Sequence, residues 1–119
     1  MARKPKQLGG HTLTARIINL ACRFKAERLG LAEYTLVQLE RESGLNHSVI
    51  LRATREDAPQ GPTLDTVRKL AETLGVGLNR ELEDRFYNAF HYASPGQLAA
   101  VEPYVEQQEA ESADRPPTL

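Results

Sequence analysis

The chain has 119 residues, 40% of them hydrophobic and 26% charged, with a formal net charge of −1. That length holds one domain with tails and excludes a second independent core. One cysteine, Cys22, excludes an internal disulfide, and no apolar run approaches the roughly 20 residues that cross a bilayer. The opening MARKPKQLGG lacks the apolar stretch of a secretory leader, so the expected location is the cytoplasm, with no membrane partner. The net charge hides a split: residues 1–57 carry +4 and residues 58–119 carry −5. A basic first half suits a polyanionic partner, and an acidic second half is expected to face away from it.

Residues 1–11, with Arg3, Lys4, Lys6 and a Gly9-Gly10 pair, cannot bury a core and read as a flexible basic arm. From Thr12 or Thr14 to about Arg28, Ile17, Leu20, Ala21 and Phe24 recur at helical spacing, which predicts a first helix. Cys22 lies in it as a small core or flanking residue. Thr35 caps a second helix, Gln38 completes a capping box, Tyr34 with Leu39 supplies the matching hydrophobic staple, and Leu36 and Leu39 form the buried stripe. Gly44 ends that helix after about two turns. Asn46 caps a third, with Ile50 and Ala53 facing inward and Arg52 and Arg55 outward.

After the breaker-rich residues 57–62, Thr63 caps a fourth helix. Leu64, Val67, Leu70, Ala71 and Leu74 form its stripe, and Gly75 stops it. A fifth opens at Asn79 with Leu82, Phe86, Ala89, Phe90 and Ala93 in phase. Ser94, Pro95 and Gln97 read as a capping box for a sixth, over 94–106, carrying Leu98, Val101, Tyr104 and Val105 and bent or broken near Pro103. Residues 107–119 read as a disordered acidic tail. Every apolar segment fits a helical period better than alternation, so the fold class is all-α, with 12–93 as the principal domain.

The stretch TLVQLERESGLNHSVILR, residues 35–52, places a capped helix, a glycine turn and a second short helix within about 20 residues, a pair able to present its second helix to a major groove about 12 Å wide. It resembles the Cro/C1-type helix-turn-helix family of phage repressors and bacterial regulators. The resemblance continues through GPTLDTVRKLAETLGV, residues 61–76, which is similar to the family's fourth helix, and it spans about residues 13–82. It implies a five-helix lambda-repressor-like DNA-binding domain, here with an extra C-terminal helix. It also implies a sequence-specific regulator of double-stranded DNA, a repressor, working as a homodimer.

By position, the family's base-reading face falls on Asn46, His47, Ser48 and Arg52. Thr35 and Leu36 fall where its second helix approaches phosphate, and Arg55 falls near the far backbone. Arg52 suits guanine, Ser48 tolerates several bases, and Asn46 or His47 can bond a base edge or a phosphate. Arg3, Lys4 and Lys6 would add arm contacts to phosphate. The chain departs from the family in three places. Glu40 stands where alanine lets the two helices cross closely, so its carboxylate must turn outward or pair, with Arg41 or Arg52 as candidates. Residues 29–33 and 57–61 lengthen two linkers.

His11, His47, His91 and Cys22 show no metal-ligand spacing, no cofactor is implied, and no catalytic motif or phosphate-cradling loop is present, so the reading is not that of an enzyme. The stripe of Leu82, Phe86 and Phe90, with Tyr87 and Tyr92 flanking it, is wider than a five-helix domain easily buries. Two outcomes are open. Either the sixth helix folds back over it, or Leu82, Phe86, Tyr87, Phe90, Leu98, Val101 and Tyr104 form a two-fold interface between copies. A second function class, an antitoxin-like or phage regulatory protein whose C-terminal region grips a protein partner, draws on the same stripe and the charge split.

Overall fold

The computed structural model describes residues 12–54, 63–90, 96 and 99–114. The expected arm with Arg3, Lys4 and Lys6, and the residues Arg55, His91, Tyr92, Ala93 and Leu98, lie outside the described residues. The fold is all-α, with no strand among the described residues. In chain order come α1 (Leu13–Leu29), α2 (Leu36–Ser43), α3 (His47–Ala53), α4 (Leu64–Leu74), a 3₁₀ turn at Val76–Leu78, α5 (Arg80–Asn88) and α6 (Val101–Asp114).

Each of the first five helices begins at a side chain that satisfies a backbone donor the helix leaves open. Thr12 accepts from Ala15 N, Thr35 from Gln38 N, Asn46 from Val49 N, Thr63 from Thr66 N and Asn79 from Leu82 N. At Thr35 the capping box is complete, since the Gln38 side chain accepts from the Thr35 backbone N–H at 2.7 Å.

The core gathers Ile17, Ile18 and Leu20 of α1, Leu39 of α2, Ile50 of α3, Val67, Leu70 and Leu74 of α4, and Leu82 and Phe86 of α5. Phe86 and Phe90 meet at 5.2 Å between ring centroids, and burying each ring contributes roughly 1.5–3 kcal/mol. α1 is the central helix, packed against α4, α5 and α6, while α2 packs on α4.

The sixth helix folds back. Val101, Tyr104 and Val105 are buried against the body, and α6 touches both α1 and α5. Of the two open outcomes the structure shows the fold-back: Leu82, Phe86, Phe90, Val101 and Tyr104 are buried within a single chain, and Tyr87 is half-buried edge-on to Phe86.

α6 also corrects the expected end of order near residue 106, because it continues to Asp114. Arg16 of α1 explains the extension. Its Nη2 donates to Glu109 Oε1 at 2.6 Å, its Nε donates to Glu109 Oε2 at 3.2 Å, and its Nη1 lies 3.9 Å from Glu102. A two-pronged guanidinium contact anchors the acidic helix where composition alone predicts fraying. The Glu109 hydrogen bond, against the cost of burial, holds the Arg16 guanidinium above its ordinary pKa, with Glu106 and Glu102 adding to the effect. The break expected near Pro103 falls just before it, since Ala99 is helical, Ala100 is a turn and α6 begins at Val101. Pro103 is the third residue of α6, inside the first turn, where a helix needs no backbone donor.

Candidate nucleic-acid interface

The turn between α2 and α3 is set by Gly44, whose φ of 75° lies in the left-handed region and whose N–H donates to Glu40 O at 3.1 Å. Two residues later Asn46 starts α3. Ile50 and Ala53 face the core, and Leu45 packs partly against it. The opposite face is open: Asn46, Ser48, Leu51 and Arg52 are exposed and His47 is partly so. Among the described residues, the positions expected to read bases are thus brought together on one outward surface.

Not every expected contact residue is free for that role. Leu36 is buried in the core, so its side chain is unavailable to a phosphate; only the backbone of the α2 amino end remains. Thr35 is half-buried, and its hydroxyl and backbone are engaged by Gln38. Asn46 is tied into its own cap: its Oδ1 accepts from Val49 N at 3.0 Å and from the Ser48 hydroxyl at 2.8 Å. Arg52 is exposed near the end of α3.

Glu40, the departure at the helix crossing, is joined to His47: its Oε1 lies 2.6 Å from His47 Nδ1. This pair spans the turn from α2 to α3. The carboxylate side chain is 13% exposed and the imidazole 34%, so the carboxylate is largely covered and the ring partly open to solvent.

Sequence reasoning missed a second contact that positions this surface. Lys25 of α1 is a buried cation whose Nζ donates to Glu42 Oε1 at 2.9 Å, to the Thr73 carbonyl oxygen, and to the Tyr34 hydroxyl at 3.4 Å. It also lies 4.5 Å from the Tyr34 ring centroid. Lys25 therefore joins α1, the α1–α2 connection, α2 and α4, and fixes where α2 ends and the Gly44 turn begins. Its hydrogen bond, followed by one from Tyr34, holds the Glu42 carboxyl below its usual range, while burial and then Glu42 push the Tyr34 phenol up. The signal was present: Lys25 is four residues from Ala21 and seven from Ile18, in phase with the buried stripe of α1.

Two carboxylates of the helix pair, Glu40 and Glu42, are thereby each matched to a nitrogen base or cation. Nearby in α1, Cys22 is buried, and desolvation pushes its thiol up to about 12. Among the described residues no group of three or more His, Cys, Asp or Glu side chains is placed to hold a metal ion, and no helix is long and apolar enough to cross a membrane. Of the aromatic stripe, Phe86 and Phe90 are buried and Tyr87 is half-buried. No protein-family profile, curated protein or solved structure matches the chain.

Proposed function

We propose that the chain is a sequence-reading regulator of double-stranded DNA, a repressor in the manner of the helix-turn-helix family it resembles, with α3 entering the major groove. One observation carries the reading. α3 follows a left-handed glycine turn, anchors itself through Ile50 and Ala53, and leaves Asn46, Ser48 and Arg52 on an open face. That is the geometry a groove-reading helix needs, since its outer side chains must reach base edges while its inner ones hold it to the body. Arg52 supplies paired donors for guanine, and the amino end of α2 supplies a neighbouring approach to phosphate.

The acidic α6 packs against α1 and α5, and α2 packs on α4, so the negative helix belongs to a different set of contacts from the reading pair. Pairing of two copies on adjacent half-sites would have to use surface other than the buried set of Leu82, Phe86, Phe90, Val101 and Tyr104.

Selection from a random duplex pool, followed by binding measured across salt concentrations, tests the proposal. A regulator of this kind enriches a short site and loses affinity steeply as salt rises, because each neutralised phosphate releases counterions. Failure to enrich any sequence, or binding indifferent to salt, overturns it.

A further inference from the structure

We infer that Glu40 is a positioning residue that sets the hydrogen-bond polarity of His47, so that this position of α3 accepts from an exocyclic amino group, adenine N6 or cytosine N4. The inference rests on the DNA-reading proposal and deepens it. An ionised carboxylate can only accept, so the proton in the 2.6 Å contact between Glu40 Oε1 and His47 Nδ1 comes from the ring. A neutral imidazole carries a single N–H. With that hydrogen committed inward at Nδ1, Nε2 is left with a lone pair. In the major groove, adenine and cytosine offer amino donors, while guanine N7 and O6 and thymine O4 only accept. In its neutral form the ring so held is matched to the first pair and mismatched to the second.

Burial separates this contact from the other polar pair on the face. Glu40 belongs to α2, and its side chain is 13% exposed, so water competes poorly for its carboxylate and the ring is clamped from inside the protein. The Ser48–Asn46 contact is made between two exposed residues, and a hydroxyl rotates to suit either a donor or an acceptor. Ser48 thus remains tolerant, whereas His47 is held to one polarity. The residue that makes the difference lies on the neighbouring helix and need not touch DNA.

Two measurements at pH 8, above the ordinary imidazole value of about 6.5, test this. Nitrogen-15 correlation spectra of the whole chain should show His47 protonated at Nδ1 and bare at Nε2. In Glu40→Ala the population should shift toward the other tautomer, and Glu40→Asp should restore part of it. In parallel, duplex selection with the wild-type chain should give one position favouring adenine or cytosine over guanine by roughly tenfold. That preference should vanish at the same position, with the rest of the site kept, in both Glu40→Ala and His47→Ala. A wild-type ring protonated at Nε2 overturns the inference, whether or not the variants fold. So does a site selected by the wild type and left unchanged by Glu40→Ala. If the wild type selects no DNA at all, the regulator proposal falls and the base preference falls with it, while the spectra still report the clamp.

Discussion

α6 turns Val101, Tyr104 and Val105 inward against α1 and α5, whereas α3 turns Ile50 and Ala53 inward and leaves Asn46, Ser48, Leu51 and Arg52 at the surface. The two helices divide the tasks of the molecule. α6 adds Val101, Tyr104 and Val105 to the core cluster that holds Phe86 and Phe90. α3 gives up burial and is held by a few tethers: the Gly44 turn, Ile50, and the Glu40–His47 contact at its first residue. The proposed entry of α3 into a groove requires that it not be surrounded by its own chain.

This contrast breaks most visibly under truncation of core side chains. Phe86→Ala should cost about 3–5 kcal/mol and Val105→Ala roughly 1–3 kcal/mol in urea denaturation followed by circular dichroism. If Val105→Ala were neutral, α6 would be no part of the core. Arg52→Ala should do the reverse: stability stays within about 0.5 kcal/mol, while affinity for a selected duplex falls by about 1–3 kcal/mol, with preference relaxed at one base pair. A large loss of stability would instead make Arg52 a structural residue.

Smaller effects sharpen the same picture. Arg16→Ala removes the contact that secures Glu109, and a partly exposed ion pair of this type is worth at most about 1 kcal/mol. The informative readout is local: amide hydrogen exchange over residues 107–114 should quicken while the core stays protected.

Glu42 carries a pH signature. Its folded-state pKa is lowered by Lys25 and Tyr34, so its contribution is complete above the ordinary carboxylate range and is lost as pH falls through the lowered value. Glu42→Gln should therefore be less stable than the wild type at pH 7, with the two curves converging in acid below about pH 4. Because the Glu42 side chain is 47% exposed, solvent screens the pair and the gap should not exceed about 1 kcal/mol. Parallel curves at all pH values would show that the Lys25 contact contributes nothing.

The helices were legible because their signals are local. Thr12, Thr35, Asn46, Thr63 and Asn79 cap the ends that follow them, and Gly44 and Gly75 take left-handed conformations at the ends they close. The outward placement of Asn46, Ser48 and Arg52 follows from helical phase once Ile50 and Ala53 are inside. Leu36 and Leu39 lie inside, as the apolar stripe of α2 implies, so a phosphate at the start of α2 would meet backbone there and not the Leu36 side chain.

Sequence alone settled where the chain turns and which stripe of each helix is apolar, because caps, glycines and a period of 3.6 residues act within a few positions of themselves. Only tertiary structure decided what covers the Phe86–Phe90 stripe, why α6 continues past residue 106, and which group takes the Glu40 carboxylate. The Arg16–Glu109 pair lies 93 residues apart in sequence, the Lys25–Thr73 contact 48, and the Glu40–His47 contact bridges two helices around a turn. Such pairings depend on how finished helices stack, and no local pattern encodes the partner that stacking brings near.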